Sequence, residues 1–260
     1  MKNVNKTSAI ILAAGKGTRM KSELPKVLHE VCGKPMIMHI IDTLKMVGIS
    51  DIIVVVGHKA EMVRNVVGDG VKYALQAEQK GTGHAVMQTT SFLNEKGNTL
   101  IVAGDTPLIE QNTLFALIDN HIRSGNKGTV LSAEFNNPFG YGRIIRDYEN
   151  NVSEIIEEKD ATELQREIRE VNTGIFCFDN ESLLKGLSLI ENNNAQNEYY
   201  LTDMVCILNK LNQKFGSYLL SDNEQVLGIN DREQLTKAEY IMTKKRKLTY
   251  NEGLFENKEA

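Results

Sequence analysis

At 260 residues the chain is long enough for one large α/β domain or at most two small ones. A net charge of −4, dispersed lysines and arginines, no tryptophan and only 6% aromatics exclude the basic, stacking surface of a nucleic-acid binder. No apolar run reaches membrane-spanning length, the polar start (Met1 to Ser8) lacks a signal-peptide core, and Cys32, Cys177 and Cys206 are far apart with no C-x-x-C pair. These features point to a protein of a reducing, cytoplasmic setting, without membrane contact, disulfide framework or zinc knuckle.

Ala9 to Ala13 is a short apolar run soon closed by glycine, suited to a strand buried on both faces. Met36 to Val47 places Ile37, Ile40, Ile41, Leu44 and Val47 on one stripe and predicts a helix. Asp51 to Gly57 contains the β-branched run Ile52-Ile-Val-Val-Val56, which fits a parallel strand covered by helices. Val71 to Leu75, Thr99 to Ala103 and Thr129 to Phe135 predict further strands, and Leu114, Leu117, Ile118 and Ile122 mark an intervening helix. Alternation of this kind gives βαβ units and a mostly parallel sheet.

After about Asn136 the pattern changes. Asn136 to Gly142 is a turn cluster, and Arg143 to Asp147 and Val152 to Glu157 predict a hairpin across Tyr148-Glu-Asn-Asn151. Glu163 to Glu170 reads as a solvated helix or loop, Val171 to Phe178 as a strand, and Glu198 to Asn212 and Asp231 to Lys247 as helices. The expected organisation is one domain over residues 1–248. It divides into a first half to about 135, a second half over about 136–230 and a C-terminal helix over 231–248, followed by a polar tail over 249–260.

The sharpest motif is Leu12-Ala-Ala-Gly-Lys-Gly-Thr-Arg-Met20, followed by Leu24-Pro-Lys-Val-Leu28. A glycine-rich turn after a buried strand leaves backbone N–H groups free for phosphate oxygens, and glycine lets a ligand approach the backbone. The spacing is not that of a P-loop, and Met20 stands where a dinucleotide fold would place a third glycine. Lys16, Arg19 and Lys26 supply charge that suits a polyphosphate. The alternative is a tight turn carrying solvated lysines.

With Pro25-Lys-Val-Leu-His29, this stretch resembles the sugar-1-phosphate nucleotidyltransferases. More narrowly, it resembles the uridylyltransferase domain of the bacterial bifunctional N-acetylglucosamine-1-phosphate uridylyltransferase/glucosamine-1-phosphate acetyltransferase family. Segments similar to that domain follow in the same order: Gln76 to Ala85, Ala103 to Leu108, Gly140 to Ile144, Glu157 to Ala161, Glu170 to Ile175, Asn192 to Asp203 and Gly228 to Asp231. The likeness covers roughly residues 8–248.

The resemblance implies a Rossmann-like α/β fold of the nucleotide-diphospho-sugar transferase type. Its mixed, mostly parallel sheet is flanked by helices; the first half binds nucleotide and the hairpin-containing second half binds sugar. It implies uridylyl transfer from UTP to N-acetylglucosamine 1-phosphate with Mg²⁺ held by Asp105 and Asn230, and catalytic roles for Arg19 and Lys26. Leu12, Ala13, Ala14, Gly15, Gln76, Gly81 and Thr82 match nucleotide-binding positions. Gly142, Glu157, Asn172, Glu198 and Thr202 match sugar-binding positions, with Tyr199 and Tyr200 on the same wall.

The residues alone leave other readings open. Asp105 could form an Asx-turn before Pro107, and Thr82 could N-cap the following helix. The tyrosine pair could be core packing and the polar residues plain surface groups. Gln76 offers both an amide donor and an acceptor to a pyrimidine edge, whereas His84 reads as structural. Another nucleotide–sugar pair, or a non-catalytic nucleotide-sugar-binding regulator, also remains open.

Two departures from the family stand out. No hexapeptide repeats of the family's C-terminal acetyltransferase domain follow, so acetyl transfer and trimer contacts are expected to be absent and the chain to be a monomer or weak homo-oligomer. Ala103 also stands where a Tyr or Ser is frequent.

Overall fold

The computed structural model describes residues 6–256, with side chains through residue 247, so part of the polar start and residues 257–260 of the expected tail lie outside it. The chain runs β1 (Thr7–Ala13), β2 (Glu30–Val31), β3 (Lys34–Pro35), α1 (Met36–Val47), β4 (Ile52–Val56), α2 (Ala60–Val67), β5 (Lys72–Leu75), α3 (Thr82–Met87) and β6 (Asn98–Ala103). It continues through α4 (Gln111–Arg123), β7 (Gly128–Glu134), β8 (Arg143–Arg146), β9 (Val152–Ile156), α5 (Glu163–Arg166), β10 (Glu170–Asp179), α6 (Asn180–Leu187), α7 (Met204–Lys210), β11 (Phe215–Leu220) and α8 (Arg232–Glu256).

The main path of the nine-stranded sheet is β11-β7-β10-β6-β1-β4-β5, with the β8–β9 hairpin paired onto β10. β1 is parallel to both β4 and β6, β4 to β5, and β11 to β7, while β10 runs antiparallel between β6 and β7. The sheet is therefore mixed and mostly parallel. Because β10 pairs with β6 and β7, the expected division near residue 135 is not a break in the sheet.

Alternation along the central strands feeds two apolar layers. Ala9, Ile11, Val54, Leu100 and Val102 face α1 and α4, where Ile37, Ile40, Leu44, Leu114, Leu117 and Ile118 pack on them. Ile10, Ile53, Val55 and Ile101 face the opposite side, against Leu183, Leu187, Met204 and Leu208 of α6 and α7. Burial on both faces is why these strands are unbroken apolar runs.

The structure corrects several expected elements. The helix expected over Glu198 to Asn212 is extended through Tyr200, then makes a 3₁₀ turn at Leu201–Asp203 before α7. Its first backbone groups are spent sideways: Tyr199 N–H donates to Lys80 O at 2.8 Å, and Gly83 N–H donates to Tyr199 O at 2.8 Å. α6 follows β10 with no breaker, started by Asp179, whose carboxylate accepts Ser182 N–H at 3.1 Å. β11 is an edge strand with Leu219 exposed, so its apolar pattern is too diluted to predict it. The final helix, N-capped by Asp231 onto Gln234 N–H at 2.8 Å, continues to Glu256, so residues 249–256 of the expected tail are helical.

Candidate active site

β1 pairs with β4 on one side and β6 on the other, so the carboxyl ends of β1 and β6 flank the point where strand order reverses, the usual place for a ligand in such sheets. Gly104 lets these ends meet. Its N–H donates to Leu12 O at 2.9 Å, and a Cβ there would fall 2.8 Å from the same oxygen. Asp105 comes next. Its carbonyl accepts Ile229 N–H at 2.9 Å, which brings Asn230 beside it.

Four residues distant in sequence converge here. Lys26 Nζ makes an ion pair with Asp105 Oδ2 and donates to Asn230 Oδ1 at 3.0 Å. Arg19 Nη2 donates to the same Asn230 oxygen at 2.9 Å. Pro25 precedes a 3₁₀ turn at Lys26–Leu28 whose Val27 and Leu28 are buried, so Lys26 stands on a fixed base. Gly17, left-handed at φ 60°, packs on that base, where a Cβ would lie 2.6 Å from Lys26 Cβ. Met20, in place of a third glycine, is the buried anchor of the loop.

Leu12 and Ala13 end β1, and Ala14 is buried against Gly57, whose added Cβ would meet Ala14 O at 2.8 Å. Gly15 is different: a Cβ there would meet nothing within 4 Å among the described residues, none of which demands glycine at that position. Exposed Lys16 follows it.

Gln76 follows β5 and is only 3% exposed. Its Nε2 donates to Gly81 O at 3.0 Å and lies 3.1 Å from His84 Nδ1, which must accept, because an amide nitrogen only donates. Both amide hydrogens are thus committed, and only Oε1 is left to meet a ligand. This narrows the sequence reading, which gave Gln76 both functions. His84 orients Gln76.

Thr82 is not an N-cap. It is the first residue of α3, with Gly81 preceding it, and its Oγ1 accepts Leu201 N–H at 3.0 Å. Gly81 (φ 104°) is squeezed by the 198–200 segment, since a Cβ would fall 2.6 Å from Tyr199 O and 2.9 Å from Glu198 Cβ. The turn carrying Gln76, Gly81 and Thr82 is therefore in direct contact with the segment Glu198 to Leu201.

Glu157 follows β9, and its Oε1 accepts Thr202 Oγ1–H at 3.1 Å. A Cβ on Gly142 would stand 3.4 Å from Glu157 Oε2. Asn172 lies at a register shift in β10. Its N–H donates to Gly142 O at 2.8 Å and its Oδ1 accepts Gly174 N–H at 2.8 Å. Glu198 is held by Asn194, which bonds both its N–H and its carbonyl. Tyr199 lies near His84 with ring centroids 6.1 Å apart, and Tyr200 is buried with its hydroxyl between Gln196 and Asp160.

Burial pushes the Glu157 carboxyl up, against the lowering bond from Thr202, and Asp160, Asp203 and Glu198 push it further. Asp203 is raised to about 6, first by burial and then by Asp160 and Glu154. One end of the site is therefore cationic and the other carboxylate-rich.

A raised carboxyl pKa means that the folded state holds the proton more tightly than the unfolded chain. Stability from Asp203 is then fully present below the ordinary aspartate value and is lost as pH rises to about 6. Asp203→Asn should therefore raise the melting temperature at pH 7.5 by roughly 2–4 °C, the effect of about 1 kcal/mol once its partial exposure is discounted. It should change little near pH 4. Equal shifts at both pH values in thermal melts would contradict this account.

Sequence reading missed two residues within the segment Gly140 to Ile144, from which only Gly142 was drawn. Tyr141 stacks on Phe135 with ring centroids 5.0 Å apart, and burial, with Asp105 nearby, raises its phenol pKa against contact with the Gly228 backbone. Arg143 is buried at 1% exposure. It pairs with Glu158 at 2.8 Å and donates to Tyr141 O, while Glu158 accepts Gly140 N–H at 3.0 Å. The available signal was Arg143 opening the short strand Arg143-Ile-Ile-Arg146 directly after a turn, where a charged side chain on a buried position needs a partner.

Two cations and a carboxylate–amide pair thus meet at the switch point of a mostly parallel sheet, the arrangement of a candidate active site for an anionic ligand. The chain belongs to the nucleotidyl transferase family, whose model matches residues 8–224. It is 52% identical to the bifunctional protein GlmU of Geobacillus sp. (strain WCH70), over 91% of this chain and 52% of that one. It is 51% identical to the GlmU of Streptococcus agalactiae serotype V, over 90% and 51% of the two chains. Against the GlmU of Thermoanaerobacter pseudethanolicus the values are 52% identity over 91% and 51%. The chain spans about half the length of these curated relatives. A Bacillus anthracis structure assigned as a glucose-1-phosphate thymidylyltransferase superposes with a TM-score of 0.73 at 21% identity, covering 90% of this chain and 94% of that one, which establishes the shared fold.

Proposed function

We propose that the chain transfers a uridylyl group from UTP to N-acetylglucosamine 1-phosphate in the cytoplasm, releasing UDP-N-acetylglucosamine, a cell-wall precursor, and pyrophosphate. The observation that carries this reading is the convergence of Arg19, Lys26, Asp105 and Asn230 on one point beside the glycine loop. The half-length likeness to GlmU proteins supports it.

The loop's backbone and Lys16 cradle the triphosphate, and Gln76 Oε1 accepts the imide N–H of uracil. Glu157, Asn172 and Thr202 receive the sugar hydroxyls, with Glu198 closing the wall. A sugar phosphate oxygen attacks the α-phosphorus in line with the bond to the β-phosphate, which breaks as pyrophosphate departs. Arg19 meets the charge building on pyrophosphate, and Lys26 holds the phosphates in register.

The donor set fits a divalent metal: a carboxylate oxygen and an amide oxygen already converge on one cationic atom, Lys26 Nζ. Among the described residues no cluster of three or more His, Cys, Asp or Glu could cage an ion. Mg²⁺ suits such a sparse set, since waters and phosphate oxygens complete its shell. When bound, it would neutralise phosphate charge and polarise the reacting phosphoryl group.

Pyrophosphate release should require Mg²⁺ and be fastest with UTP and N-acetylglucosamine 1-phosphate. CTP presents an acceptor where uracil has N–H, so it should lose roughly ten- to a hundredfold in kcat/KM, the penalty of an unpaired buried acceptor. No turnover with either N-acetylglucosamine 1-phosphate or glucose 1-phosphate would refute the assignment and return a binding role.

A further inference from the structure

Asp105 and Asn230 present one cation seat, and Lys26 occupies it. Nζ is ion-paired to Asp105 Oδ2 and lies 3.0 Å from Asn230 Oδ1. The Lys26 and Asp105 side chains are 18% and 16% exposed, so water and an arriving anion can reach the ammonium. The base of Lys26 is fixed by its packing under Gly17 and by buried Val27 and Leu28, yet its four-carbon stem leaves the ammonium free to swing.

Resting on the metal-ligand reading above, we propose that Lys26 is a built-in counter-cation. It holds the two ligand oxygens together and keeps a bare divalent ion out until a triphosphate arrives. An ammonium and a divalent ion cannot share the same two oxygens, because at contact distance their repulsion is uncompensated. A triphosphate brings several negative charges and gives Nζ new oxygens. The ammonium then moves from carboxylate to phosphate, and Asp105 and Asn230 are freed together. Metal and nucleotide affinities are thereby coupled through one side chain. Arg19, the second donor to Asn230 Oδ1 at 2.9 Å, turns to the phosphates in the same exchange and leaves that oxygen to the metal.

The test is a titration of the full chain with Mn²⁺ alone, without nucleotide, following free Mn²⁺ by electron paramagnetic resonance. Lys26→Met should bind Mn²⁺ roughly tenfold or more tightly than the wild type, because a competing charge at contact distance has been removed. Adding Asp105→Asn to that variant should abolish the gain. If Lys26→Met binds no more tightly than the wild type, the counter-cation role is wrong whatever the fate of the metal site. If it binds tightly but Asp105→Asn makes no difference, the ligand assignment itself is wrong. Circular dichroism checks folding, and Lys26→Gln, judged by the same criterion, replaces Lys26→Met if that variant does not fold.

Discussion

Asp105→Asn should lower turnover by about a thousandfold or more, the upper range for removing one preorganised electrostatic group, while leaving the fold in place. The substitution keeps the shape of the side chain and the backbone bond from Ile229 N–H to Asp105 O, which is what brings Asn230 into the site. It removes only the charge. Lys26 loses its ion pair but keeps Asn230 Oδ1 at 3.0 Å and a partly open path to water, so stability should move by no more than about 1 kcal/mol. Activity and stability therefore separate in this variant. Steady-state rates across a Mg²⁺ titration, read beside a thermal melt, check the claim. A variant that turns over within tenfold of the wild type would remove Asp105 from the chemistry, and one that loses activity by unfolding would leave its role structural.

Much of the candidate site was legible because its charged residues stand close together in sequence or at strand ends. The glycines, Lys16, Arg19 and Lys26 lie within one stretch, and Asp105 comes two residues after the end of a strand that its apolar run identifies. What the sequence could not show was how each residue is supported. Gly17 is required by Lys26 Cβ, whereas a Cβ on Gly15 would meet no described residue. Gln76 is half-spent on Gly81 and His84, a fact that depends on a turn closing back on itself. The helix expected from Glu198 fails for a similar reason: its periodicity is genuine from Met204 onward, but the preceding residues bond laterally to Lys80, Thr82 and Gly83. Local propensity was overridden by a contact more than a hundred residues away in sequence, as the 119-residue separation of Thr82 and Leu201 records.

Arg143→Ala should be the most destabilising of these substitutions. The guanidinium is 1% exposed, pairs with Glu158 at 2.8 Å and donates to the carbonyls of Tyr141 and Arg166. Truncation leaves Glu158, itself 19% exposed, with Gly140 N–H and the looser Arg166 pair at 3.3 Å. Removing one partner of a buried pair costs about 3–5 kcal/mol, hence a fall in melting temperature of roughly 10 °C. Glu158→Gln added to Arg143→Ala should recover part of that loss, because the stranded charge disappears with it. Desolvation pushes the Glu158 carboxyl up but is outweighed by Gly140 N–H, Arg143 and Arg166, so its pKa lies below the usual glutamate value. Its contribution is therefore present above that value and lost as pH falls through the depressed one, and the deficit of Arg143→Ala should shrink in acid. The pair also holds the Gly140 N–H and the Tyr141 carbonyl of the Gly140-Tyr-Gly142 turn, which carries Tyr141 toward Asp105 and Gly142 toward Glu157. At a temperature where the variant is folded, KM for the sugar phosphate should rise more than KM for UTP. Equal changes in both would reduce Arg143 to a core residue with no hold on the sugar site.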